Sequence, residues 1–509
     1  MSGAGHESIN GEIEQIEPQE KELVDDSTCV ESHLSHLRTE AAHSGIVRHA
    51  PITSLPAELL SRIFENIIAL HKPSKRFSAP YRLLCVTKYW QRIVLSTSSL
   101  WTSVNFNDGP AMLPLLTQHL ERSRKRPLDI HLNPMSAATF DQLCPLMELS
   151  RCRRLRIYTE STDRLCNILA HISGTEAPLL EWLSMTRHLD NYMPNDLPID
   201  ARPCILTGGA PKLAYLHLEG IPPQLFMPPS GGFVTTFHFC MGRNNILSYP
   251  EFRDMLTKLP VVEKLILEGW IVQFFDDSLP AIDFPSLTTL IFSGILRGPQ
   301  SVTDMVRVMR APRLQRLSLC QMDAVDVDGV ISELSHGLKF PELRSLKLDR
   351  ACICLETATR NLIIRSPEVT ELIIGDWCWY EWEGVKKYYT RNKHELHMHL
   401  LEILGTTTVL VRQEAWPDLR TITIESLGLD DRPNDYYAFE TDRGFGHALL
   451  ECLRARRSEN MPVQVLRLHP DILRRASPQT LAALRDEVQA VERYEGKGAN
   501  WYHIERRPE

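Results

Sequence analysis

Two stretches, Pro312-Arg313-Leu314-Gln315-Arg316-Leu317-Ser318-Leu319 and Pro341-Glu342-Leu343-Arg344-Ser345-Leu346-Lys347-Leu348, follow one pattern. Each opens with a proline, sets a leucine two positions on and closes on Leu-x-Leu. Successive side chains of a strand point to opposite faces, so Leu-x-Leu turns two leucines one way and the residue between them the other. A proline just ahead ends a preceding helix and removes no ladder hydrogen bond, because the ladder has not begun.

With apolar substitutes the phrase recurs at Pro178 (Leu180, Leu183, Met185), Pro211 (Leu213, Leu216, Leu218), Pro260 (Val262, Leu265, Leu267) and Pro285 (Leu287, Leu290, Phe292). It returns at Pro367 (Val369, Leu372, Ile374) and Pro417 (Leu419, Ile422, Ile424). The prolines lie 33, 49, 25, 27, 29, 26 and 50 residues apart. The gap of 49 hides a copy without proline at Val234, Phe237 and Phe239. Weaker copies flank the series at Cys152, Leu155 and Ile157 and at Val463, Leu466 and Leu468. Between copies run helical stripes such as Phe252, Met255, Leu256 and Leu259, or Val302, Met305, Val306 and Met309, with another over 357–364. One strand and helix cannot cover their own apolar face, so neighbours must stack. A period of this length and spacing suits a leucine-rich repeat: an α/β solenoid with a horseshoe-like parallel sheet and outer helices. The gap of 50 holds the cluster Trp377, Trp379, Tyr380 and Trp382 and a helical pattern from Leu396 to Leu404, and reads as an expanded repeat.

Composition narrows the function. The chain has 509 residues, 43% hydrophobic and 24% charged, which suits a globular protein. A net charge of −8 argues against general nucleic-acid binding. The run Arg122-Ser123-Arg124-Lys125-Arg126 reads as a solvated helix end. Twelve cysteines form no Cys-x-x-Cys pair, the closest being Cys352 and Cys354. No apolar run approaches the ~20 residues that span a bilayer. An acidic start unlike a signal peptide completes the expectation of an intracellular protein, cytoplasmic or nuclear, with no membrane partner.

Four regions follow: a disordered acidic arm over 1–45, a helical module over 46–105, the repeats over 106–470, and a cap helix and tail over 471–509. Glu12, Glu14, Glu17, Glu20, Glu22, Asp25, Asp26 and Glu31 leave the arm little apolar surface to offset the entropy of ordering. In the module, Leu59, Leu60, Ile63, Phe64, Ile67 and Ile68 recur at helical spacing, and 72–76 form a loop. A second helix carries Leu83, Leu84, Val86, Trp90, Ile93 and Val94 and ends before Leu100-Trp101.

The segment from Pro51 to Trp101, a tenth of the chain, resembles an F-box. The resemblance rests on Leu55-Pro56-Ala57-Glu58-Leu59-Leu60-Ser61-Arg62-Ile63-Phe64, on Leu83-Leu84-Cys85-Val86-Thr87-Lys88-Tyr89-Trp90, and on Leu100-Trp101. Thr87-Lys88 departs from the usual Cys-Arg or Ser-Lys, and the loop between the helices is somewhat long. The pairing with proline-led repeats is similar to the large fungal F-box-like families. The resemblance implies docking to a Skp-type adaptor and, through it, to a cullin–RING ubiquitin ligase of SCF type. So small a module cannot hide every large side chain, which leaves a stripe for a partner helix. The docking candidates are Leu55, Pro56, Leu59, Leu60, Ile63, Phe64 and Val86, together with Trp90 and Trp101, which combine packing of the module with some contact.

A protein client would meet the strand positions that alternate with the leucines. These are Tyr215, His217, Lys264, Arg316, Lys347 and Glu371, with Ser318, Ser345 and Thr423 beside them, joined by the aromatics Trp377 and Trp379. Catalysis, metal and cofactor find no motif. His394 and His397 are three apart, not the four a zinc peptidase helix needs, and no phosphate loop or nucleophile elbow occurs. The alternative is a repeat scaffold without ubiquitin coupling.

Overall fold

The computed structural model describes residues 52, 55–71, 73–106, 112–133, 148–187, 206, 208–221, 233–241, 246–269, 271–274, 279–294, 301–320, 322, 329–330, 333–334, 340–349, 369–375, 404, 416–425 and 445–494. The acidic arm, the segment 357–364, the Trp377 and Trp379 cluster and the His394, His397 and His399 group lie outside them. Internal contacts divide the chain into two units, Met1–Phe64 and Glu65–Glu509, with the helix Ala57–Leu70 running across the division.

In the second unit, the phrase Pro-x-Leu is a hydrogen-bonded turn. The Leu N–H reaches back to the carbonyl before the proline, as in Leu314 to Ala311 (3.1 Å), Leu343 to Phe340 (3.1 Å) and Leu419 to Trp416 (3.0 Å). Proline suits the second position of such a turn because its φ is fixed there already. The residue whose carbonyl accepts is buried in each case, so the turn fixes the chain to the core just before each of these strands begins.

The strands, in order, are β1 (Ser103–Phe106), β2 (Leu128–Leu132), β3 (Cys152–Thr159), β4 (Trp182–Arg187), β5 (Tyr215–Glu219), β6 (Thr236–Met241), β7 (Leu247–Ser248), β8 (Lys264–Gly269) and β9 (Val272–Gln273). There follow β10 (Ile282–Asp283), β11 (Thr289–Ser293), β12 (Met309–Arg310), β13 (Arg316–Cys320), β14 (Ser345–Asp349), β15 (Glu371–Ile374), β16 (Thr421–Ile424), β17 (Val465–Leu468) and β18 (Ala490–Arg493). Fourteen of them form one parallel sheet in chain order, while β7 with β9 and β10 with β12 make two-stranded pairs. The leucine-rich-repeat reading therefore holds as an all-parallel sheet alternating with helices.

Every apolar position of the phrase is buried, the copy at Val234, Phe237 and Phe239 included. Registers put like on like: Leu290 beside Leu265 and Leu317, Phe292 beside Leu267 and Leu319. Helices close the other side of this core, through Leu165 and Leu169, Phe252 and Met255, and Val302 and Met305. The sheet extends beyond the phrase at both ends. It begins with β1 and β2, and it finishes with β18, after helices Pro470–Arg475 and Pro478–Glu487.

Gly269 closes β8 with φ +78°, and a Cβ there would be driven into the backbone carbonyl oxygen of Met241. Gly269→Ala is therefore expected to cost about 1–3 kcal/mol. Gly174→Ala, where an added Cβ meets nothing within 4 Å, should change little. Paired thermal melts check this, and equal stabilities would contradict it.

Candidate functional site

Helix Ala57–Leu70 has two apolar stripes. Leu60, Phe64 and Ile68, four apart, are buried. One position earlier on the helix, Leu59 and Ile63 remain 54% and 36% exposed, and Leu70 is exposed at the end. Leu55 is half-buried and Pro56 exposed. Leu60 and Phe64 thus belong to interior packing and offer a visitor no surface, which corrects their place among the docking candidates.

The second helix of the module is interrupted. Helices Ala79–Leu84 and Lys88–Ser96 are separated at Thr87, whose hydroxyl accepts the Trp90 N–H (3.1 Å) and starts a new helix. A short helix, Pro73–Arg76, stands where a loop was expected. Val86 is exposed and Trp90 half-buried.

Trp101 is a correction too. It has no exposed surface, and its Nε1 donates to the Val94 carbonyl (2.9 Å). Tyr81 and His119 meet its ring edge-on at 5.5 and 4.8 Å, and the Arg122 guanidinium lies 4.4 Å from the ring centre. His119 stacks in turn on Phe77 (4.2 Å). Burial is the main reason the His119 imidazole sits at about 4; backbone groups of Trp101, Phe77 and Ser103 oppose it, and Arg122 adds repulsion. Trp101 joins the helical module to the helix Met112–Ser123 within the second unit.

The face of the sheet opposite the leucines carries three rows of side chains. The first includes Asp129, Arg154, Trp182, Tyr215, Thr236, Lys264, Thr289, Arg316, Ser345 and Glu371, side by side in register. The middle row includes His131, Arg156, Ser184, His217, His238, Ile266, Ile291, Ser318 and Lys347. The third holds Thr186, Glu219, Cys240, Glu268, Ser293 and Cys320. It was missed because it lies one residue past the second leucine; extending the alternation by two positions would have found it.

The anticipated client residues differ in environment. Trp182 and Tyr215 stack at 5.4 Å and 11°. His217 Nδ1 pairs with Ser184 Oγ (2.8 Å), and its ring lies over His238 (4.3 Å), whose Nε2 is 3.3 Å from Glu268. Lys264 is partly sunk, and burial pushes its ammonium down to about 8. Arg316 is exposed and Ser318 half-buried. Lys347 is half-buried and engaged within the chain. Its Nζ is 2.5 Å from Glu425, which also accepts from the Tyr494 hydroxyl (2.8 Å). Ser345 and Thr423 are buried between neighbouring strands. Glu371 bonds Arg467 (3.1 Å), which also reaches Glu492 (3.0 Å).

Among the described residues no group of three or more His, Cys, Asp or Glu side chains could hold a metal ion, and no helix is long and apolar enough to cross a membrane. No family model matches the chain, and no curated protein matches it. Among solved structures it is similar to the yeast Rad7 and Elc1 complex, at 13% identity and a TM-score of 0.25, over 80% of this chain and 94% of that one.

Proposed function

We propose that this chain is the client-selecting subunit of an SCF-type ubiquitin ligase. Its F-box-like stretch docks a Skp-type adaptor, and the open sheet face holds a protein client. The observation that carries the reading is the pair Leu59 and Ile63, exposed one turn apart on a helix whose adjacent stripe is filled. Two large aliphatic side chains left in water at helical spacing are what a partner helix covers. Leu55 and Pro56 extend that surface. The chain itself performs no bond chemistry. It holds the client near the activated ubiquitin donor, raising the effective concentration of one about the other.

Leu59→Asp combined with Ile63→Asp is the test. Both positions are exposed, so the melting temperature should hold while co-purification with a Skp-type adaptor falls at least about tenfold. Adaptor retained at the level of the unaltered protein overturns the docking assignment. Phe64→Asp is unsuitable because it would place a charge in the core.

A further inference from the structure

We infer that the open face of the sheet reads a client by spacing. Arg154 and Arg316 each take one carboxylate of an extended partner segment laid across β3–β13, and stacked Trp182 and Tyr215 take an apolar side chain beside the first. This rests on the reading of that face as the client surface and names what the surface recognises.

In the first row, from Ser103 on β1 to Ala490 on β18, Arg154 and Arg316 are exposed and every other residue is half-buried or buried. Neither guanidinium has a hydrogen-bond or ion-pair partner among the described residues. Other charges of the row are engaged or sunk: Asp129 is held by Arg153, Glu371 by Arg467, and Lys264 is half-buried.

Register puts Trp182, Tyr215, Thr236, Lys264 and Thr289 between the two arginines. Neighbouring strands lie about 4.8 Å apart, so these six steps span about 29 Å. An extended chain rises about 3.3 Å per residue and bridges that distance in about nine residues. The planar fork of each arginine suits a carboxylate, which it can grip through two parallel hydrogen bonds. Trp182 and Tyr215, 5.4 Å apart at 11°, begin one step from Arg154 and offer a preordered flat apolar surface.

Glu181 and Glu263 set the limit on acidity. Both are exposed, one residue ahead of Trp182 and Lys264, and so flank the line between the arginines. A segment with carboxylates only at its two ends avoids them. A nucleic-acid backbone, charged at every step, does not.

The test uses the full-length protein and a fluorescein-labelled peptide of Ser, Thr and Gln, read by anisotropy. It carries two Asp residues nine positions apart and a Phe two positions inside the first, and its reversed sequence is run beside it. The better of the two should bind. Moving the far Asp three positions inward should weaken binding as much as replacing it with Asn, at least about fivefold. Arg154→Ala and Arg316→Ala should each cost a similar factor, and Arg313→Ala, an exposed arginine off this row, should cost nothing. Arg316→Glu should be rescued by Lys in place of the far Asp and not by Lys in place of the near one, a result no folding defect imitates. Trp182→Ala should erase the preference for Phe over Ala. Equal binding at both spacings overturns the inference, as does rescue by either Lys. Tighter binding of an all-Asp peptide or a single-stranded oligonucleotide overturns it too, as does no binding of either peptide. Adaptor capture is read on the same proteins. Capture without peptide binding defeats this inference alone, whereas spacing-dependent binding without capture by the unaltered protein defeats the ligase reading alone.

Discussion

Trp101→Ala is expected to cost about 3–5 kcal/mol, the largest loss from any single substitution considered for this protein. The ring is fully buried, donates to the Val94 carbonyl, and receives Tyr81, His119 and Arg122 on its edges and face. Removing it leaves a cavity, a Val94 carbonyl that keeps just the long contact from the Thr97 N–H (3.4 Å), and a guanidinium without its aromatic partner. Trp101→Phe keeps most of the volume and should cost far less. Stacked repeats need not unfold in one step, so hydrogen exchange over 88–132 is the sharper measurement. Early exchange confined there in the alanine variant is the expected result. Unchanged protection together with lost adaptor capture would return Trp101 to the docking surface.

Acidification is expected to destabilise the fold through two histidines. Burial holds His119 and His131 at about 4, against 6.5 for the free imidazole; around His131 the guanidinium groups of Arg156, Arg76 and Arg154 add to burial and Asp129 opposes it. Between those values the unfolded chain takes up protons that the folded chain refuses. Their contribution is thus complete above pH 6.5 and is lost as pH falls towards 4. The loss by pH 5 is about 2 kcal/mol from each at most, less for the partly exposed His131. Urea midpoints at pH 7.5 and pH 5 measure it. His119→Phe and His131→Gln should each flatten the dependence, and parallel curves for variant and parent would rule the assignment out.

The repeats were legible because one phrase combines a turn and a strand. The proline sets the turn, the leucines set the face, and local chemistry suffices. β1, β2 and β18 were not legible for the same reason. Ala490-Val491-Glu492-Arg493 offers one large apolar residue and no proline, and owes its place to pairing with Val465–Leu468. The interruption at Thr87 was hidden because the apolar spacing on either side remains helical, while the break depends on one hydroxyl. The packing role of Trp101 was legible, but its full burial was not, because its partners His119 and Arg122 come from a helix further along the chain. Leu59 and Leu60 were indistinguishable in sequence, and only packing separates the exposed leucine from the buried one.

Among the described strands of the large sheet, backbone pairing joins each only to the strands before and after it in the sheet order, the shortest step joining Tyr215 to Thr236 and the longest Glu371 to Thr421. The backbone contribution to contact order in this unit is therefore set by the step between neighbouring strands and does not grow with total length. A ribosome can release one strand and helix at a time onto a finished template, so ordering can keep pace with synthesis from the first strands onward. Lengthening a connection, as between β15 and β16, slows one local closure and leaves the other layers untouched.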